Sequence, residues 1–303
     1  MTRNKKSDKI VQNYFLVDNG YDGKEIFMQK KAIIITNPLK EKSVEFAPVA
    51  SSYLKENGYE TEIITGVTEE FTSADIALVL GGDGTILRAA RQLYGKDVPI
   101  FGINFGRLGY LTEYSSEDAV DGLSKIISGQ YTIESRMMLE GEIERKGERI
   151  ASFIALNEVC AYRAMLMHAL STKLYINGKH TETVSGDGLI ISTPTGSTSY
   201  NLSAGGPVLT PTSQNIVITP VASHSFSNPS IVMDGKDVAR VEVSFGSPED
   251  KGFAYLEVDG NERYELCDGD VINVRRAEQD TKIIKATDKS FYQTLREKLY
   301  RAN

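Results

Sequence analysis

The sequence predicts an α/β domain with a parallel sheet, then an antiparallel β-sandwich-like domain, and a terminal helix that returns to the first domain. In the first half, short apolar runs alternate with amphipathic stretches of helical period, which is the order of a parallel sheet with crossover helices. Beyond Tyr131 short alternating strands and turn residues dominate, until the helical period resumes near the end. The expected boundaries are an N-terminal arm over 1–30, an α/β domain over 31–133 with 286–303 packed on it, and a β-rich domain over 134–285.

The elements of the first half follow from apolar spacing and from the residues that stop each run. Ala32–Thr36 is a short apolar run that ends at Asn37-Pro38, the pattern of a buried strand entering a loop. A helical face over 44–57 ends at Gly58, a natural C-terminal stop. The remaining predicted elements are strands over 60–65, 76–80 and 99–103 and helices over 85–94 and 116–128.

The second half is marked by hairpin signals. Lys146-Gly147 and Asn177-Gly178 lie between alternating segments and are typical of tight turns that join antiparallel strands. The last predicted element is a helix over 288–300, with Phe291, Leu295 and Leu299 on its apolar side. This pattern favours a sandwich closed by one amphipathic helix.

Composition argues against several classes of function. The 303 residues carry a formal net charge of −7, which argues against a general electrostatic grip on nucleic acid or on an anionic membrane. No stretch has the apolar length needed to cross a bilayer. Cys160 and Cys267 lie far apart without CxxC spacing, which argues against structural zinc and fits a reducing cytosol. We therefore expect a cytoplasmic protein that binds neither nucleic acid nor a membrane.

The first segment with chemical content runs from Gly81 to Thr85, between a predicted strand and a predicted helix. Its glycines let the backbone approach a ligand closely, and the helix N-terminus adds free N–H donors, which together suit phosphate. Asp83 would repel phosphate unless it binds a metal or accepts a proton, so it is a candidate general base toward a sugar hydroxyl. The alternative is a tight turn in which Asp83 caps the helix.

The second such segment spans Ser185–Pro207 and is rich in hydroxyl side chains. Ser197, Thr198, Ser199 and Tyr200 follow a Pro-Thr-Gly break and offer donors and acceptors to ribose, adenine and phosphate without adding charge. The alternative is a loop whose hydroxyls make only local turn bonds.

These segments resemble NAD kinases. GGDGT is shared with diacylglycerol and sphingosine kinases, but Ser185–Pro207 resembles the DGLIxSTPTGSTAYxLSAGGP segment of NAD kinases, with Ser199 where that family usually has alanine. Asn157-Glu158 matches the family's NE pair, and residues 102–110 are similar to its GINxGxLGF motif. The resemblance spans about residues 31–300.

The resemblance implies phosphoryl transfer from ATP, or another donor, to the 2′-hydroxyl of the adenosine ribose of NAD. Asp83 would accept the proton, and Mg²⁺ would be held mainly by nucleotide phosphates. The implied phosphate loop consists of Gly81, Gly82, Gly84 and Thr85. The implied contacts to the dinucleotide are Asp83, Gly84, Arg88, Asn157, Glu158, His168, Asp187, Thr198, Ser199, Tyr200, Ser203 and Asn261. NAD itself is expected to bridge the two domains.

Several points stay open at this level. Arg88 either steadies phosphates or is a solvated helix arginine, and His168 either lies near the dinucleotide or is an incidental loop residue. Ser185 stands where many bacterial relatives carry arginine, and His224–Ser230 lacks the arginine of a similar family segment, which leaves phosphate affinity and the choice between NAD and NADH undecided.

Two other functions compete with this interpretation. A lipid kinase could use the same GGDGT loop, but it would leave the Ser185–Pro207 segment without a role. A non-catalytic dinucleotide sensor is the second, and the intact Asp83 argues against it. The family resemblance also implies a homodimer or homotetramer.

Overall fold

The computed structural model describes residues 14–17, 26–66, 73–106, 109–164, 169–225, 228–245 and 254–300. The chain divides into two compact units. Unit 1 comprises Met1–Glu134 and Lys282–Asn303, and unit 2 comprises Ser135–Thr281.

Twenty strands and five α-helices occur in the described residues. The helices are α1 (Glu41–Glu56), α2 (Asp83–Gln92), α3 (Ala119–Ser128), α4 (Tyr200–Ser203) and α5 (Phe291–Tyr300), and a 3-10 turn covers Gly196–Thr198. The strands are β1 (Tyr14–Val17), β2 (Ile26–Thr36), β3 (Tyr59–Thr65), β4 (Ile76–Gly81), β5 (Ile100–Asn104), β6 (Tyr114–Ser115), β7 (Thr132–Arg136), β8 (Leu139–Arg145), β9 (Glu148–Ala155), β10 (Glu158–Arg163), β11 (Leu170–Ile176), β12 (Lys179–Gly186), β13 (Gly188–Ser192), β14 (Asn215–Val221), β15 (Ile231–Asp234), β16 (Ala239–Ser244), β17 (Ala254–Val258), β18 (Glu262–Leu266), β19 (Val271–Arg276) and β20 (Thr281–Lys285).

Unit 1 is built on a sheet whose central strands are parallel. β3, β2, β4 and β5 pair in that order, and β20 pairs parallel to β5. β4 and β5 are buried along their whole length, as expected where crossover helices cover both faces. Carboxyl ends of parallel strands lie at one edge, so the loops after β2, β4 and β5 meet there. That edge carries the glycine-rich segment.

Two stretches of the expected N-terminal arm, residues 14–17 and 26–30, form strand in the structure. β1 pairs antiparallel with the start of β2, with Tyr14 opposite Gln29 and Val17 opposite Ile26. Tyr14–Val17 is a run of aromatic and aliphatic residues with high strand propensity, and β2 offers it a free edge. The run is too short to show a strand period, so the sequence alone did not predict this pairing.

The terminal helix returns to unit 1, as predicted, but it is shorter than expected. Ser290 N donates to Gln293 Oε1 and Gln293 N donates to Ser290 Oγ, a reciprocal cap that starts α5 at Phe291 rather than at Asp288. Lys298 Nζ lies 5.2 Å from the centre of the Tyr110 ring. Leu299, predicted on the apolar side, is 45% exposed.

Unit 2 is a sandwich of two antiparallel six-stranded sheets, which confirms the predicted class. One sheet has the order β15-β14-β13-β10-β17-β18 and the other β12-β11-β16-β19-β8-β9. Their apolar side chains form one buried cluster, as aligned sheets do when their inner faces interdigitate. Both predicted hairpin turns are present, with positive φ at Lys146 and Gly147 (53° and 83°) and at Asn177 and Gly178 (51° and 76°). In the part of the chain described here, no helix has the length and apolarity to cross a membrane.

Candidate active site

A single residue connects β4 to α2. β4 ends at Gly81 and α2 begins at Asp83, so Gly82 alone makes the turn. A Cβ on Gly81 would lie 2.3 Å from Thr85 Oγ1, which excludes any side chain there. Gly82 O accepts from Thr85 N at 2.8 Å, and Gly82 N donates to Thr85 Oγ1 at 3.4 Å. Gly82 and Thr85 thus close the turn, and Gly84, in the first turn of α2, is exposed.

Gly84 has a different character from Gly81. It is exposed, and a Cβ placed on it would meet nothing within 4 Å. The packing of unit 1 therefore does not require glycine at this position. A bare backbone at a helix N-terminus is what a phosphate or sugar needs for close approach.

The Asp83 carboxylate is held by the loop after β5, not by its own helix. Asp83 Oδ2 accepts from Tyr110 N at 2.7 Å, and Oδ1 accepts from Leu111 N at 3.1 Å. A Cβ on Gly109 would lie 1.7 Å from Oδ1, so glycine there makes room for the carboxylate. These bonds replace the helix cap that the sequence left as an alternative. Each carboxylate oxygen still has a lone pair free to accept a proton or a hydrogen bond.

Arg88 lies one turn beyond Gly84 on α2 and is half-buried. Its Nε is buried and has no hydrogen-bond partner among the described residues. A buried guanidinium nitrogen without an acceptor is costly, which makes Arg88 a candidate donor to a ligand oxygen.

In unit 2, an aspartate that sequence reasoning did not select organises the Asn157-Glu158 turn. Asp259 is 5% exposed, and its carboxylate accepts from the backbone N–H groups of Leu156, Asn157 and Glu158 at 2.9, 2.8 and 3.1 Å. Asp259 adopts a left-handed φ of 50° at the β17–β18 turn, where Asp-Gly is a favoured pair. That turn signal was visible in the sequence, but the partner of the side chain was not.

The same turn is locked to the hydroxyl-rich segment. Thr193 N donates to Asn157 O at 2.8 Å, and Thr193 Oγ1 donates to Leu156 O at 2.6 Å. A Cβ on Gly196 would lie 2.2 Å from Asn157 O. The structure therefore brings together two predicted site segments through residues that lie more than thirty positions apart in the sequence.

Glu158 is a buried acid at the centre of this arrangement. It is 8% exposed, its Oε1 accepts from Ser199 Oγ at 3.0 Å, and its Oε2 has no partner among the described residues. Burial raises the pKa of Glu158 to about 8, and the charges of Asp259 and Glu257 act in the same direction, while the Ser199 hydroxyl lowers it. At neutral pH the Glu158 carboxyl is therefore largely protonated and can donate a hydrogen bond.

A cavity of about 410 Å³ opens in unit 2, and its lining includes Cys160, two residues after Glu158 on β10. Its walls combine aromatic rings with charged groups, as small-molecule sites do. The residues that decide its character are Tyr162, Arg163, Asp187, Tyr200 and Glu257. Arg163 forms an ion pair with Asp187 across one wall. Asp187 and Tyr200 are predicted site residues, and both lie here.

Among the described residues of unit 2, the other predicted site residues do not line this cavity. Thr198 Oγ1 donates to Thr195 O at 3.2 Å, and Ser203 is exposed on α4. Asn261 is exposed, and its Nδ2 donates to Asp259 O at 2.7 Å. His168 lies outside the described residues. No group of three or more His, Cys, Asp or Glu side chains suited to a metal ion occurs in the described part of the chain.

Comparison with known proteins covers both units. The family model of the ATP-NAD kinase N-terminal domain matches residues 38–131, and that of the ATP-NAD kinase C-terminal domain matches residues 156–286. The NAD kinase of Caldanaerobacter subterraneus subsp. tengcongensis is 35% identical over 283 residues, which cover 89% of this chain and 99% of that protein. The chain belongs to the NAD kinase family.

Further NAD kinases support the same assignment. That of Magnetococcus marinus is 40% identical over 226 residues, which cover 75% of this chain and 73% of that protein. Among solved structures, an NAD kinase from Archaeoglobus fulgidus in complex with ATP is 25% identical with a TM-score of 0.70, covering 89% of this chain and 98% of that one. Yeast NADH kinase complexed with NADH has a TM-score of 0.78 at 22% identity, covering 92% and 90%, and shows the shared fold.

Proposed function

We propose that this NAD kinase family member transfers the terminal phosphoryl group of ATP to the 2′-hydroxyl of the adenosine ribose of NAD, producing NADP. The observation that carries the proposal is the Asp83 carboxylate, held by two backbone amides on a one-residue glycine turn at the start of α2. Family membership supplies the substrates, since the relatives are named NAD kinases and one structure contains ATP.

The glycine turn receives the phosphates of the donor. The N–H groups of Asp83 and Gly84, at the start of α2, have no partner among the described residues, and the helix dipole adds partial positive charge at the same end. Exposed Gly84 leaves this backbone open to phosphate oxygens, and Arg88 Nε is an additional donor one turn away. Because phosphoryl transfer needs mainly positioning and charge stabilisation, no covalent nucleophile is required. Mg²⁺ enters as part of the triphosphate substrate.

Asp83 accepts the proton of the ribose hydroxyl. As the 2′-oxygen forms its bond to the γ-phosphorus, the bond from phosphorus to the leaving ADP oxygen breaks and the hydroxyl proton moves to the Asp83 carboxylate. The amides of Tyr110 and Leu111 keep the carboxylate in one orientation and leave one lone pair on each oxygen. An oriented base of this kind contributes about 10²- to 10⁴-fold to rate.

NAD is recognised by unit 2. Asp187 and Tyr200 line the cavity, and Glu158 precedes Cys160, another lining residue, by two positions on β10. A protonated Glu158 can donate to an acceptor of the dinucleotide while accepting from Ser199. Asn157 belongs to the proposed contact set through the family resemblance. The proposed contact set also retains four residues from the family resemblance: Thr198, Ser203, Asn261 and His168.

The cellular setting is also proposed. Two free cysteines, of which Cys160 is buried, agree with a reducing cytoplasm. The family resemblance supports a homodimer or homotetramer, which light scattering on the purified protein would test.

The deciding experiment combines the purified protein with NAD, ATP and Mg²⁺ and detects NADP with an NADP-specific dehydrogenase. We expect NADP to accumulate with turnover, and NADH offered in place of NAD gives the acceptor preference. Bound NAD without NADP formation would instead indicate a sensor. Phosphorylation of diacylglycerol in vesicles, without NADP, would indicate a lipid kinase.

A further inference from the structure

Lys40 reaches the glycine turn from a different strand end. Its Nζ lies 3.1 Å from the position that a Cβ on Gly82 would occupy, and 3.0 Å from the corresponding position on Gly106. Two glycines on two different loops thus leave the space in which this ammonium group sits. Lys40 is partly buried and immediately precedes α1.

The Lys40 ammonium has no negatively charged partner among the described residues. Gly82 is the N-cap of α2, so the positive end of the helix dipole points toward the same place. Within the described residues, no carboxylate lies within salt-bridge distance of Lys40 Nζ, and the Asp83 carboxylate is bound to the amides of Tyr110 and Leu111. A cation beside a helix N-terminus is repelled by the positive end of the helix dipole, unless a bound anion contacts both the cation and the helix N-terminus.

Asn104 provides an independent sign of a ligand at this place. It is 2% exposed, its Nδ2 donates to Gly106 O at 3.1 Å, and its buried Oδ1 has no partner in the described structure. That oxygen lies 3.6 and 3.9 Å from the Cβ positions of Gly82 and Gly106, next to the ammonium. Because buried carbonyl oxygens are rarely left without a donor, this oxygen needs an N–H or O–H group, which the Lys40 ammonium or the hydration of a bound ligand can supply.

The loop that carries Lys40 is hydrogen-bonded to residues on both sides of the glycine turn. Asn37 Nδ2 donates to Thr85 Oγ1 at 3.3 Å, and Ser43 Oγ donates to Leu80 O at 2.8 Å. Asn37 N in turn donates to Ser43 Oγ at 3.0 Å. Lys40 is thus presented to the turn by a loop that is anchored on both sides of it.

We propose that Lys40 is a binding residue for the phosphates of the donor, its ammonium contacting the same phosphate oxygens as the N-terminus of α2, beside the Asn104 amide. The inference rests on the proposed function for the identity of the donor. The chemistry recognised is a polyphosphate anion with its hydration.

The first test replaces the charge and keeps the stem. Lys40→Met removes the ammonium, and Lys42→Met, at an exposed position two residues later, is the matched control. We expect Lys40→Met to raise the KM for ATP and the Kd for ATP, measured calorimetrically without NAD, by about 10- to 100-fold, with little change in the KM for NAD. The control should match the parent. Unchanged ATP binding in a folded Lys40→Met would overturn the inference.

The second test needs no variant. Lys40 and Lys42 are labelled in the parent protein with an amine-reactive reagent, and the rates are read by mass spectrometry. ATP or inorganic tripolyphosphate should slow the labelling of Lys40 severalfold and leave Lys42 unchanged, and equal rates with and without the anion would contradict the proposal. Protection of Lys40 in a protein that forms no NADP would preserve this site and reject the proposed acceptor.

Discussion

Glu158→Gln removes a buried acid whose protonation should make the stability of unit 2 depend on pH. The folded-state pKa of about 8 lies above the ordinary value of 4.5, chiefly because the carboxyl is buried. Between these two values the folded state holds a proton that the unfolded state has released, so stability falls as pH rises through the window. For one proton the steepest slope is about 1.4 kcal/mol per pH unit. Below pH 4.5 Glu158 is protonated in both the folded and the unfolded state, so it adds no pH dependence to the stability there.

This slope is measured by urea unfolding at pH 5, 6, 7 and 8, with a probe that reports the unfolding of unit 2. Glutamine cannot ionise, so the free energy of unfolding of Glu158→Gln should fall less steeply with pH than that of the parent. The expected difference in slope is about 1 kcal/mol per pH unit between pH 5 and pH 8. Glu148→Gln, at an exposed position of β9, is the matched control and should keep the parent slope. Equal slopes in the parent and Glu158→Gln would refute the raised pKa and the proton that the account assigns to this carboxyl.

Three further substitutions test the positioning of these groups. Gly109→Ala inserts a methyl group where the Asp83 carboxylate lies, so NADP formation should fall by about 10²-fold or more while NAD binding, measured by calorimetry, is retained. Asp259→Asn weakens the acceptor of three buried amides and should lower the free energy of unfolding by about 2 kcal/mol in urea titrations, and an unchanged midpoint would contradict that role. Ser199→Ala removes a hydrogen bond that lowers the pKa of Glu158, so the pH at which stability stops falling should move upward, and a downward shift would contradict the assignment.

The sequence predicted those parts of the fold that depend on local chemistry. Lys146-Gly147 and Asn177-Gly178 accept positive φ, which sets tight hairpins, and the strand–glycine–helix order placed the glycine turn at the carboxyl end of β4. The sequence predicted the first and last residues of helices and strands less well. α5 starts late because Ser290 and Gln293 cap each other, and β2 extends toward its N-terminus because β1 pairs with it.

Contacts between distant parts of the chain could not be predicted from spacing. Asp259 meets the amides of residues 156–158 across about a hundred positions, and Asp83 meets the loop after β5 across twenty-seven. Lys40 lies beside Gly82 only because β2 and β4 are neighbours in the sheet. These pairings follow from strand order, which a period of apolar residues does not encode.

The most direct measurement of the central claim is the rate of NADP formation by Asp83→Asn at saturating NAD and MgATP, with Asp97→Asn as a control at an exposed, surface-paired aspartate. The account predicts a loss of about 10²- to 10⁴-fold for Asp83→Asn, with ATP and NAD affinities and the melting temperature close to those of the parent, and no loss for the control. Turnover by Asp83→Asn within a few-fold of the parent would contradict the account.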